Sequence, residues 1–316
     1  MATASAASNS YSGPGALMAE NFQDVLDSRF KFVKERVWST PVQGLKYWNV
    51  QSTNKAYEKH SYVAGTGTVP KSRDVDNMPL ANKLQGFDNT YTPETYRLGL
   101  RIERRLRETD QFRVIDKLMK DLNQSAKDTI ELYAALPFNT AFDATVEWIC
   151  ADGMNLCDTS RPYEDPTQGT WDNAETSGTP SQSRIATMRL NFYKTKNEIG
   201  RIRPIIMDKL IIPPDLQDTL ITNLGSALKP GVSTHDKNYL TEYGLTYDVW
   251  PYLTSTTAWF GMGPKNDLHE LFWYWGSRPS VIDYYAGNPD VFSKRLRMVF
   301  VSGADRPTNL RGNAGT

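Results

Sequence analysis

The sequence predicts an α+β fold, on three observations. Residues 108–135 repeat apolar side chains three and four apart, the spacing of one face of a helix. Residues 96–103 and 292–301 alternate side chains with the two-residue period of a strand. Shorter helical and strand-like stretches lie between them, punctuated by proline and glycine.

The helix at 108–135 carries a stripe of Phe112, Ile115, Met119, Leu122, Ala126, Thr129, Tyr133 and Leu136. Thr109 or Asp110 can cap its start, because a short side-chain oxygen accepts an otherwise orphan N–H of the first turn. Pro137, which has no N–H and clashes with the preceding turn, marks its end or a kink. Asp116 with Lys120, Lys117 with Asp121, and Lys127 with Glu131 form four-residue charge pairs expected on the wet sides. Such a rod is about 40 Å long, a spar rather than an ordinary helix of about three turns.

Ahead of the spar, residues 1–17 read as a flexible arm broken by Gly13, Pro14 and Gly15, and 21–37 as a short helix on that arm. From 46 to 107 the pattern becomes a long hairpin with a polar tip at 66–92. Its second strand sets Tyr96, Leu98, Leu100 and Ile102 on one face and Arg97, Gly99, Arg101 and Glu103 on the other. A two-stranded hairpin is marginal in water by itself, so this one needs a further surface to lie on.

Beyond the spar, 153–178 reads as loop, Ser181 as the cap of a helix carrying Ile185, Met188 and Phe192, and 197–200 as a turn. The β-branched content of 203–212 predicts a buried strand stopped by Pro213. Pro214 suits the first turn of a helix with Leu216, Leu220 and Leu224 inward and Gly225 at its close. Leu245, Tyr247 and Val249 predict a strand, and Ala258, Trp259 and Phe260 a further one. The aromatic run 271–275 reads as core. In 292–301, Leu296, Met298 and Phe300 face one way, and 303–316 reads as a tail.

The 316 residues are enough for about two domains. Lysine plus arginine equals aspartate plus glutamate at 36 each, a balance unlike that of a dedicated nucleic-acid binder and compatible with self-association. The start lacks a signal-peptide pattern, and no apolar run approaches the ~20 residues that span a bilayer. Cys150 and Cys157 lack zinc spacing and read as buried thiols, with a disulfide as the alternative.

Catalytic and cofactor motifs are absent. His60, His235 and His269 share no metal spacing with one another or with a carboxylate. Residues 65–72, from Gly65 to Ser72 with Lys71, approach a phosphate-binding loop and leave an NTPase as an alternative reading. Pro70 stands where the second glycine belongs, however, and no helical stripe follows. The cluster Arg97, Arg101, Arg104, Arg105 and Arg107 suits either phosphates or the carboxylates of a neighbouring chain, since a guanidinium fork pairs with both.

The order arm, hairpin, spar, mixed α/β region and last long strand resembles the major capsid protein of tailed bacteriophages, the Hong Kong 97 capsid fold, and in detail its Mu-like major head subunit group. The segments IMDKLIIPPDLQDTLITNLGS (206–226), YLTSTTAWF (252–260), RPSVIDYY (278–285) and FSKRLRMVFVSGADRP (292–307) carry the resemblance. It implies an N-terminal arm at 1–45, an extended loop at 46–107, and a peripheral domain with its spine helix at 108–144. An axial domain at 145–265 and a return to the peripheral domain at 266–316 would follow. It further implies a structural, non-enzymatic protein that assembles pentamers and hexamers into an icosahedral shell around double-stranded DNA, in the virion, built in the host cytoplasm without membrane or cofactor. A separate scaffolding protein, a portal and a decoration protein are the implied partners, with non-specific contact to the packaged double-stranded DNA. Tyr57, Lys59, Lys71, Arg97, Arg101, Arg104, Arg105 and Arg107 are the expected subunit-interface residues. Some relatives cross-link a hairpin lysine to an asparagine; Lys55, Lys59, Lys71 and Lys83 are present, but no motif marks a partner, so no cross-link is expected.

Overall fold

The computed structural model describes residues 31–61, 63–65, 68–73, 77–78, 80, 83–103, 112–143, 148–229, 236–265, 270–284 and 291–315. Residues 31–38 are helical, within the predicted arm helix. The strands are β1 Asn49–Ser52, β2 Glu58–His60, β3 Asn89–Tyr91, β4 Glu94–Glu103, β5 Arg161–Pro162, β6 Thr170–Trp171, β7 Ala174–Glu175, β8 Lys209–Ile212, β9 Thr246–Val249, β10 Trp259–Met262, β11 Leu271–Asp283, β12 Val291–Ala304 and β13 Leu310–Asn313. Besides the helical residues 31–38, the described residues form α1 Phe112–Asn139, α2 Gln182–Tyr193 and α3 Gln217–Gly225.

The chain divides into two compact units. One comprises Met1–Pro41, Gly99–Ser125 and Asp283–Lys294. In it, Trp38 Nε1 donates to Asn123 Oδ1 at 3.1 Å, and the Asn123 amide donates to Met119 O at 2.8 Å. Lys294 Nζ meets Asp283 Oδ1 at 2.5 Å. The other unit, Val42–Leu98, Ala126–Ile282 and Arg295–Thr316, holds most of the sheet structure.

One sheet has the order β1-β11-β12-β4, with β1 parallel to β11 from Asn49 opposite Phe272 to Ser52 opposite Trp275. Alternation gives it two unlike faces. On one, Phe300 stacks on Tyr96 at 4.4 Å and on Trp273 at 4.5 Å, and Tyr133 of α1 meets Phe300 edge-on at 5.6 Å. On the other, Phe272 and Tyr274 pack with Tyr91 and Val301.

The second sheet has the order β7-β13-β10-β8-β9, with β10 antiparallel to β13 and to β8. Ile185, Met188 and Phe192 of α2 pack with Leu210 and Ile212 of β8, Trp259 of β10, Leu216 at the start of α3 and Leu220 within it. Ser181 caps α2 through the Arg184 N–H. Gly261 lies so close to α2 that a Cβ would sit 2.5 Å from Met188 Sδ and 2.8 Å from Met207 Sδ.

Several expectations need correction. Helix α1 runs through Pro137 to Asn139, because that proline removes only one hydrogen bond in the last turn while its neighbour Phe138 buries against Tyr47 and Trp250. The buried stripe departs from the expected one after Ala126: it continues through Ile130, Ala134 and Phe138, whereas Tyr133 is part-exposed. A 3.6-residue period drifts across a strict three-and-four alternation over this length. Lys127 and Glu131 are therefore buried rather than wet. The caps proposed at Thr109 and Asp110 lie outside the described residues. Strand β4, read as the hairpin's second strand, pairs instead with β12. The strand expected over 203–212 forms only at Lys209–Ile212. Of the tail expected at 303–316, the described residues 303–315 are not a tail: β13 sits between β7 and β10, and all four of its residues are buried. The polar look of Arg311 and Asn313 hid this. Arg311 is held by Asp172 at 2.8 Å and Glu175 at 2.5 Å, and Asn313 donates to Thr176 O at 2.7 Å. Buried polar groups with partners do not require an apolar sequence.

Candidate assembly surface

The hairpin is built from β2 and β3, paired antiparallel with Glu58 opposite Tyr91 and His60 opposite Asn89. A bridge at Val63 and Gln85 and the Ala64 N–H to Leu84 O bond at 2.8 Å extend it. Lys59 reaches Asp88 at 3.5 Å. Bonds from Thr53 and Lys55 hold the Glu58 carboxyl below the usual range. Three ladder pairs cannot stabilise such an arm, so its base is fastened elsewhere.

The fastening is a buried polar group. His60 Nδ1 lies 2.7 Å from Asp305 Oδ2, and since a carboxylate only accepts, the imidazole donates there. His60 Nε2 lies 3.0 Å from the Tyr274 hydroxyl. Tyr91 donates its hydroxyl to Asp305 Oδ1 at 2.8 Å. Burial, then the adjacent carboxylate, pushes the Tyr91 hydroxyl far above the usual tyrosine range. The imidazole packs on Phe272 at 4.4 Å and Tyr91 at 5.2 Å. With both ring nitrogens engaged and the rings closed around it, His60 holds the hairpin base; it is not poised to react with a substrate.

A second anchor precedes β1. Buried Glu131 of α1 accepts from the Gln43 N–H at 2.5 Å, the Gly44 N–H at 2.8 Å and Trp250 Nε1 at 3.2 Å. It thereby satisfies the start of the short 3-10 helix Gly44–Tyr47. No pattern around His60 foreshadowed its role. Glu131 was detectable in principle, since it follows Ile130 on a stripe that keeps to the true helical period.

The hairpin beyond its base exposes apolar side chains: Val63 at 61%, Val69 at 95%, Met78 at 79% and Leu80 at 84%. Of the expected interface residues, Tyr57, Lys59 and Lys71 lie exposed on the hairpin, and Arg97 and Arg101 lie exposed on β4. Arg104, Arg105 and Arg107 lie outside the described residues. The structure thus places the two described arginines on β4 and Tyr57, Lys59 and Lys71 on the hairpin.

Thr66 and Gly67 of the phosphate-loop candidate lie outside the described residues, and residues 68–73 form neither helix nor strand. A phosphate loop must open a helix. Among the described residues no group of three or more His, Cys, Asp or Glu is placed to hold a metal, and no helix is long and apolar enough to cross a membrane. Cys150 and Cys157 are buried free thiols.

The phage capsid protein family model matches residues 88–311. The capsid structure of cyanophage P-SCSP1u superposes with a TM-score of 0.57 at 10% identity, over 85% of this chain and 86% of that one. A chain of Microbacterium phage Oxtober96 gives 0.54 at 10% identity, over 88% and 92%. The procapsid of bacteriophage JBD30 gives 0.50 at 12% identity, over 94% and 76%. No curated protein sequence matches. The fold is the Hong Kong 97-type fold expected from the sequence. With the family model spanning well over half its length, the chain belongs to the phage capsid protein family and is a capsid shell protein.

Proposed function

We propose that the chain is the major head protein of a tailed phage, assembling as pentamers and hexamers into an icosahedral shell that encloses double-stranded DNA. The observation that carries this reading is the hairpin: a firmly fastened base bearing an arm whose Val69, Met78 and Leu80 are exposed. Such side chains gain by burial, and a neighbouring copy supplies the surface. In this reading 46–107 contains the extended loop, 1–45 the arm that reaches across subunits, and 108–144 the spine. Residues 145–265 form the axial domain, and 266–316 return to the peripheral domain. The last strand, β13, adds to the 145–265 sheet. Tyr57, Lys59, Lys71, Arg97 and Arg101 line subunit contacts. The protein is structural rather than enzymatic, assembles in the host cytoplasm, and works with a separate scaffolding protein, a portal and a decoration protein. The Mu-like grouping rests on the sequence segments that carry the resemblance.

Electron microscopy of the purified chain, alone and with its scaffold, tests this. Uniform shells, or rings of five and six, are expected. A monomer that hydrolyses ATP, with turnover abolished by Lys71→Ala, would instead support the phosphate-loop alternative.

A further inference from the structure

The antiparallel β5-β6 ribbon, the end of α2 and β13 border a cleft of about 340 Å³. Tyr163 and Asp172 line it beside the ribbon, Lys194 and Lys196 past the end of α2, and Arg311 on β13. All of these residues belong to one compact unit. A cleft of this size falls in the range of small-molecule sites, about 300–1,000 Å³.

Arg311 is 4% exposed and is held by two carboxylates: Nε donates to Glu175 at 2.5 Å and Nη2 to Asp172 at 2.8 Å. A guanidinium carries five N–H donors, and no acceptor among the described residues takes those of Nη1. The Tyr163 ring is buried, yet its hydroxyl also has no hydrogen-bond partner among the described residues. Both groups stay open to the cleft rather than sealed in the core.

Lys194 and Lys196 are exposed and form no ion pair among the described residues. A lysine past a helix end commonly serves the last carbonyls. Here the backbone already serves them. Leu190 O and Asn191 O accept the Lys194 N–H, and Phe192 O accepts the N–H groups of Thr195 and Ile205. Asp172 supplies the only carboxylate among the described lining residues, and it is engaged by Arg311.

Donors thus converge on the cleft from three segments that are far apart in sequence. They call for an anion with several oxygens. A carboxylate offers two oxygens, whereas a phosphate monoester offers three and a charge of about −1.5 to −2. A duplex backbone carries one charge per phosphate and is a poorer match.

We propose that this cleft, through Tyr163, Lys194, Lys196 and Arg311, binds the terminal phosphate of a small phosphate monoester.

The test is titration calorimetry of the purified full-length chain with glucose 6-phosphate, inorganic phosphate and glucose in phosphate-free buffer. The variants are K194Q/K196Q, which changes exposed side chains, and Y163F, which keeps the buried ring should the first fail to fold. Circular dichroism establishes folding. The native chain is expected to bind both phosphates and not glucose. Loss of the two ammonium groups should weaken binding at least tenfold, and loss of the hydroxyl about threefold or more. Saturating glucose 6-phosphate should raise the thermal midpoint of the native chain by about 2 °C or more and leave that of K194Q/K196Q unmoved. No binding by the native chain, equal affinity for glucose, or unchanged affinity in either folded variant overturns the proposal. Displacement of glucose 6-phosphate by a mixed-sequence DNA duplex at equal phosphate concentration also overturns it, and would assign the lysines to nucleic-acid backbone.

Discussion

Asp305, in the connection between β12 and β13, lies 2.7 Å from His60 on the first strand of the hairpin, 245 positions away in sequence. Tyr91, on the second strand, donates to the other oxygen of the same carboxylate. One buried side chain therefore gathers both hairpin strands and ties them to the segment that feeds β13, between β7 and β10 in the second sheet. His60→Phe keeps the ring volume and leaves a buried carboxylate oxygen short of a donor. It should cost roughly 1–3 kcal/mol in urea unfolding of the unassembled chain, and should speed proteolysis at the hairpin base. Unchanged stability would show the contact to be incidental.

Glu131 predicts a larger loss. Glu131→Ala orphans the Gln43 and Gly44 N–H groups and the Trp250 indole, each desolvated group costing roughly 1–3 kcal/mol. Glu131→Gln keeps one acceptor oxygen and should fall between the two. Equal midpoints for all three proteins in denaturant titration would refute the anchor.

The long elements were legible because their periods are strong. Strand β12 and the aromatic run in β11 emerged as read, as did the Ser181 cap and the Pro214 start. What stayed hidden depends on partners far away in the chain. Nothing near His60 names Asp305, and nothing near Arg311 names Asp172 and Glu175, so β13 passed for a polar tail. The pairing of β4 with β12 was hidden for a related reason: alternation shows that a residue stretch is a strand and which face is apolar, never which neighbour it chooses. The expected interface residues were placed by region, on the hairpin and on the strand that leads to the spar, because pairing between copies leaves no periodic mark in a sequence.

The cysteines should be silent in the folded chain. Burial pushes the Cys150 thiol up to about 11, and the Cys157 thiol higher still. Because the thiolate is the reactive form, a soluble thiol reagent at neutral pH should label neither until denaturant is added, and then both. Rapid labelling of the native chain, or none after denaturation without reductant, would contradict this.

Alkaline pH should unfold the chain through its tyrosines. Burial first, then nearby carboxylates, raises the Tyr47 and Tyr91 hydroxyls above the ordinary ~10. Below that pH both folded and unfolded chains keep these protons and the stability is complete. Above it the unfolded chain loses them first, so stability falls as pH climbs towards the folded values. Tyrosinate absorbance of the native chain should lag behind that of the denatured chain from about pH 10 upward. Superimposable titrations would mean the hydroxyls are accessible.

The central claim is that the hairpin beyond its fastened base exists for a neighbouring copy. Deletion of residues 66–85, joined by a short glycine linker, removes Val69, Met78 and Leu80 and spares β2, β3 and the His60–Asp305 contact. Electron microscopy of this variant beside the full-length chain is the direct test, with circular dichroism to establish folding. Shells are expected from the full-length chain, and the deletion variant should fold but form none. Normal shells from the deletion variant would contradict it.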